Sequence, residues 1–161
     1  GQWALLGATE GGLTLQRVLS ILGGREALAA LDAAAMKAVS GVVSIGLDAS
    51  SRVSVSGIGD DVTAGAVWRA ALEAITDQIL PIHQVMTSVV GLHRSIVVTG
   101  GWSRSEALMQ VKGRAFGKLT RSDVEEAGAR GSALMAGLAA GTYARLDDFP
   151  RLPPAGPDRR T

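Results

Sequence analysis

The stretch from Ser95 to Gly117 constrains this chain more than any other part of it. A short β-branched run, Ile96-Val97-Val98-Thr99, stops at Gly100-Gly101, and polar residues follow. Ala107, Leu108, Val111 and Ala115 then recur at helical spacing up to Gly117. A strand that turns through two glycines into a helix leaves bare backbone at the helix start, where a flat or anionic ligand can lie directly on the chain. Such a unit belongs to an α/β fold, and it is the first place to look for function.

At 161 residues the chain has the size of one domain and can bury a real core. Apolar residues make up 47% but aromatics only 4%, so that core has to be built from Ala, Leu, Val and Ile. The net charge is +1 with both signs interspersed. Without a basic stripe or an aromatic platform, nucleic acid is not an expected partner. The apolar runs are interrupted well short of a membrane span, so no membrane partner is expected. Zero cysteines exclude disulfides, thiolate metal sites and a cysteine nucleophile. His83 and His93 lie ten positions apart with no acidic cluster beside them, a spacing that does not suggest a metal site. Gln2-Trp3-Ala4 lacks a charged leader and a cleavage pattern, so a cytoplasmic protein is the expectation. The start at Gly1, on what reads as the inside of a strand, suggests a fragment.

Along the chain, Trp3–Leu6 reads as a short strand. A helix from about Gly12 follows, with Leu15, Val18, Leu19 and Leu22 on its buried face and Gly23-Gly24 as its stop. Arg25–Val39 reads as an Ala-rich second helix. Residues 41–58 have the irregular Val, Ile, Ser and Gly alternation of short strands and turns, with period two over Arg52–Ser56. Asp61 is the candidate N-cap of a long helix from Val62 to about Val90, with a kink or break expected at Pro81. A helix from about Ser103 to Phe116 follows the strand at 96–99. Ser122, with Glu125 three residues on, predicts a capping box ahead of a last helix rich in Gly and Ala. Small residues at such a density are usually tolerated where another backbone comes close. From Arg151 onward the composition is that of a flexible tail, giving a domain over 1–149 and a Pro-rich tail over 150–161.

Gly101-Trp102-Ser103-Arg104-Ser105 nearly matches the nucleophile elbow of serine hydrolases. It lacks the final glycine, and both histidines precede the serine instead of following it. No phosphate-binding G-x-x-x-x-G-K-[ST] loop and no dinucleotide G-x-G-x-x-G after a strand is present. Residue types and periodicity alone therefore stop at an α/β domain whose Gly-Gly turn either holds a ligand or only makes a tight strand-to-helix connection.

Several motifs in one order carry the reading further. Ile96 to Ser105, continued by Leu108-Met109-Gln110, resembles the nucleotide-side strand, glycine turn and helix of the FGGY family of carbohydrate kinases. Val124 to Gly137 resembles that family's small-residue helix, and Val55-Ser56-Gly57-Ile58 with Ala66 to Glu73 resembles its second signature. Trp3 to Gln16 is similar to the strand and helix that follow its phosphate loop. The resemblance spans roughly residues 1–147. Ala66, Val53, Gly113-Arg114 and the short 41–58 stretch depart from the family pattern.

The resemblance implies an actin-like ATPase (ribonuclease H-like) fold, with a short mixed sheet, several helices and an incomplete N-terminus. It implies that the chain is the C-terminal, ATP-binding portion of a sugar kinase that acts with Mg²⁺. The sugar and the catalytic aspartate belong to the other domain, so no catalytic residue and no metal ligand is expected here. The alternative is a non-catalytic interaction domain with a vestigial nucleotide site. Carried over position by position, Gly100 and Gly101 form the turn under adenosine, Ser105 stands near the adenine edge, and Gly12 and Gln16 line the pocket. Trp102 either stacks on the base or packs on the neighbouring helix. Asp60, Asp61, Asp147 and Asp148 are read as caps or solvated charges, and Glu73 as half of a structural ion pair. A homodimer in isolation is a further expectation, through apolar surface left by the absent domain.

Overall fold

The computed structural model describes residues 9–48, 52–124 and 126–151. The expected first strand at Trp3–Leu6 and the tail from residue 152 lie outside the described residues. Five helices are described: α1 (Gly11–Ile21), α2 (Leu28–Lys37), α3 (Ala64–Val90), α4 (Glu106–Phe116) and α5 (Ala127–Ala139). Four short strands accompany them: β1 (Ser44–Leu47), β2 (Val53–Ser56), β3 (Ile96–Val98) and β4 (Leu119–Arg121). Strands of both senses are present as two separate pairs. β1 and β2 run antiparallel, and β3 and β4 run parallel with α4 as their crossover.

The long helix α3 is the axis of the domain, with α1, α2 and α4 packed around its first half. Leu15, Val18 and Leu19 of α1, Leu31 and Ala35 of α2, and Ala107, Leu108 and Val111 of α4 meet Trp68, Ala71, Leu72 and Ile75 there. The positions on α1 and α4 are among those that the helical spacing predicts. The core is thus aliphatic around one fully buried indole, Trp68. Its Nε1 donates to the Asp32 carboxylate at 2.7 Å, so the one polar atom it buries is satisfied. Helices α2 and α3 approach closely at Gly65, where a Cβ would stand 2.5 Å from the Ala34 Cβ. Arg69 is also buried, between Glu73 Oε1 at 2.8 Å and the Ala35 carbonyl at 3.2 Å. That bond makes Glu73 half of the structural ion pair expected of it.

Several boundaries differ from the sequence reading, each for a local reason. α3 is capped by Thr63, whose Oγ1 accepts from Ala66 N at 3.2 Å, and not by Asp61. Asp60-Asp61 fill a turn closed by Val62 N donating to the Gly59 carbonyl, so the helix starts only after it. α3 continues through Pro81 without a break. Pro81 and Asp77 are both exposed, so water can take the carbonyl that the missing N–H leaves unpaired. Ser122 is not a helix cap: its Oγ accepts from Val124 N at 3.1 Å, a side-chain turn, while α5 begins at Ala127 without a side-chain cap. Glu125, its expected partner, lies outside the described residues. The small residues of α5 do not admit another backbone among the described residues. Open space faces Gly128 and Gly131, and the Tyr143 ring lies against Gly137.

Candidate functional site

β3 delivers the chain to Gly100, whose φ of 87° and ψ of 171° form a backbone state that only glycine adopts without strain. Gly101–Arg104 then make one 3-10 turn, held by Ser103 N and Ser103 Oγ both donating to the Gly100 carbonyl, at 3.0 and 2.7 Å. Ser105 ends the turn and caps α4, its Oγ accepting from Leu108 N at 3.1 Å. Strand, glycine pair and helix therefore fold as the sequence predicts, with a 3-10 turn in place of the first turn expected for the helix.

No protein atom lies within 4 Å of the position a Cβ would take on Gly100 or Gly101. Three cavities of about 500, 450 and 460 Å³ open around this turn, and Gly101 and Arg104 line all three. The first lies toward β4, against Arg121, Ser122 and Asp123. The second lies toward α1, walled by Gln16, Ser20, Arg25 and Trp102. The third lies toward α2, against Asp32, Met36, Ser105 and Trp102.

Trp102 is half-buried and does two things at once. Its ring sits 6.0 Å from Trp68, tilted by 45°, so one side packs on the core. It also lines the second and third cavities. On α1, Gly12 faces it closely enough that a Cβ would stand 3.5 Å from Trp102 Nε1. Gln16, one turn further on, shares the second cavity with Gly101 and Trp102. The structure thus brings Gln16, Gly101 and Trp102 to one cleft, the second cavity, sets Gly12 against Trp102, and leaves Gly100 on the neighbouring cavity toward β4. Ser105 is at the edge of the third cavity but is buried, with its hydroxyl engaged in the cap.

The sequence reading gave no role to two residues that line the cleft, Arg25 and Arg104. Arg25 follows Gly23-Gly24, read only as a helix stop, and lies in a separate 3-10 turn over Arg25–Ala27. With two guanidinium groups, an amide, a flat indole and open backbone, the cleft suits a planar ring that carries an anionic group.

The hydrolase reading fails on geometry. Ser103 is buried with its hydroxyl on the Gly100 carbonyl, and the chain's two histidines bond each other instead. Among the described residues no group of three histidines or carboxylates gathers as metal ligands. Asp148 accepts from the backbone N–H groups of Ala144 and Arg145, and Asp147 forms an exposed ion pair with Arg145 at 3.1 Å. Both act as a cap or a solvated charge, as expected.

The pattern of the FGGY family of carbohydrate kinases, C-terminal domain, matches residues 22–140. Gly100 to Ser105 fall inside that match, and Gly12 and Gln16 precede it. The chain is 32% identical over 106 residues to a glycerol kinase of Ralstonia nicotianae, covering 65% of this chain and 21% of the relative. A glycerol kinase of Deinococcus radiodurans is 34% identical over 104 residues, with 63% and 21% covered. The chain therefore spans about a fifth of these relatives' length. Among solved structures, xylulose kinase from Rhodospirillum rubrum superposes with a TM-score of 0.63 at 23% identity, covering 89% of this chain and 30% of that one. Plasmodium falciparum glycerol kinase with ADP gives 0.62 at 24%, covering 85% and 30%. The fold is the actin-like ATPase fold of these kinases, and the chain belongs to the FGGY family of carbohydrate kinases, in its C-terminal domain.

Proposed function

We propose that this chain is the nucleotide-holding portion of an ATP-dependent carbohydrate kinase that phosphorylates a sugar hydroxyl. The observation that carries the reading is the bare Gly100-Gly101 turn with open space beyond both glycines and Trp102 beside it. The base of an adenine nucleotide lies on that turn, with Gln16 offering an amide to its edge and Arg25 and Arg104 lining the same cavity. Trp102 bounds the cleft and fixes its width because its other side is held by Trp68. Bound ATP supplies the γ-phosphoryl group that the reaction transfers. The residues of this chain orient the nucleotide and exclude water from its base; they move no proton. The sugar and the base that deprotonates it belong to a separate domain. Mg²⁺ bound by the nucleotide phosphates, with water and one or two carboxylates, would neutralise the charge on the transferred group. No helix among the described residues is long and apolar enough to cross a membrane. A cytoplasmic place, where ATP is abundant, fits this reading.

The test is a titration of the chain with ADP followed by amide NMR, with a free sugar as control. Shifts clustered at Gly12, Gln16 and Gly100–Ser105 are expected, with no response to the sugar. A flat ADP titration overturns the reading and leaves a domain that kept the fold without the nucleotide site.

A further inference from the structure

His83 and His93 come from different segments and meet at the end of the domain away from Trp68. His83 lies in the second half of α3, and His93 lies in the link between α3 and β3. Nε2 of His83 stands 3.2 Å from Nδ1 of His93, with ring centroids 5.1 Å apart and planes at 64°. Phe116, at the end of α4, sets its ring edge-on to His83 at 5.2 Å and closes one side of the pair. His83 is half-buried and His93 is exposed, so the open side of the pair faces water. Among the described residues, each imidazole's hydrogen-bonding partner is the other.

Two features of this arrangement matter. The first is distance: two imidazole nitrogens on one tetrahedral zinc ion, at Zn–N bonds of about 2.0–2.1 Å, stand about 3.3 Å apart. The second is the donor set. Two neutral nitrogens without a carboxylate suit zinc, nickel or copper and not the hard cations magnesium or calcium. A hydrogen bond between two imidazoles that water can also reach contributes only about 1 kcal/mol. A metal ion in place of the shared proton bonds both rings and leaves its remaining positions to solvent. Arg94 follows His93 directly in the chain, and the Lys112 Nζ stands 6.0 Å over the Phe116 ring.

We propose that His83 and His93 form a two-imidazole site for a borderline divalent cation of the zinc class. Water completes the coordination. An ion there ties the end of α3 to the link that enters β3, and so braces the strand that leads to Gly100. The proposal is independent of the nucleotide reading, since none of its residues lines the cleft.

The experiment is a calorimetric titration of the chelator-stripped chain with ZnCl₂ in a non-coordinating buffer, with MgCl₂ as control. It is repeated on His83→Gln and His93→Gln, each checked for helix content by circular dichroism. One zinc per chain is expected, weakened by at least about tenfold in either variant, since each removes one of two ligands. Zinc bound equally well by both variants, or no better than magnesium by the parent, overturns the site. Electron paramagnetic resonance of the unmodified chain with one equivalent of Cu²⁺ is the second measurement. Hyperfine coupling to two imidazole nitrogens is expected, and coupling to one or none overturns the proposal without any variant having to fold.

Discussion

The glycine pair separates stability from binding, because its two members carry different constraints. Gly100 sits at φ 87° and ψ 171°, a state that costs a residue with a side chain about 1–3 kcal/mol. Gly101 has no such backbone, and both glycines face open space. Gly100→Ala is therefore expected to destabilise by that amount, a drop of roughly 3–10 °C in melting temperature for a chain of this length. Gly101→Val is expected to shift stability by no more than about 0.5 kcal/mol, as for other substitutions that meet no neighbour. Its three added carbons stand instead where all three cavities converge. If the nucleoside lies there, ADP affinity falls by at least about tenfold, or about 1.4 kcal/mol. Thermal melts by circular dichroism and an ADP titration on both variants read the two effects apart. A Gly101→Val variant that melts as low as Gly100→Ala, or binds ADP like the parent, would refute the assignment of the turn.

Two further perturbations test the packing around it. Gly65→Ala would put a Cβ 2.5 Å from the Ala34 Cβ and 2.9 Å from its carbonyl carbon; overpacking of about 1–3 kcal/mol outweighs a helix-propensity gain of at most about 1 kcal/mol. A lower urea midpoint at unchanged slope is expected, and an unchanged or higher midpoint would show that α2 gives way at no cost. Lys112 titrates below its ordinary value of 10.5 because it is partly buried, so between its folded and unfolded values the unfolded chain binds more protons and stability rises with pH. Lys112→Met is then expected to stabilise the domain at pH 7, with the advantage shrinking toward pH 10; melts at both values check it, and an advantage that grew with pH would contradict the sign.

How much of this was legible in the sequence depends on how local the cause is. The strand, glycine pair and helix at 96–116 could be read because β-branching, glycine freedom and helical spacing all act within a few residues. The core faces of α1 and α4 were legible for the same reason, since Leu15, Val18, Leu108 and Val111 obey the 3.6 period. The misplaced caps show where this ends. Asp60, Asp61 and Thr63 are all acceptable caps by residue type, and the choice among them was made by the Gly59–Val62 turn. β4 was missed because Leu119–Arg121 is only three residues long and is a strand only through its parallel partner β3, more than twenty residues earlier.

The site divides along the same line. Gly100 and Gly101 announce themselves, but what the cleft is made of depends on pairs that no local pattern records. Trp102 is useful as a wall only because Trp68 holds its other side, and Trp68 is fixed in turn by Asp32, thirty-six positions away. Arg25 reads as the residue after a helix stop until α1 and the 101–104 turn come together. The histidine pair makes the point most sharply. A spacing of ten rules out one face of a single helix, which is the only geometry that spacing alone can test. Once α3 ends at Val90 and the chain reverses toward β3, the same spacing brings two ring nitrogens to 3.2 Å. Spacing along the chain therefore fixes the distance between two side chains only within a continuous helix; at a helix end the turn sets it.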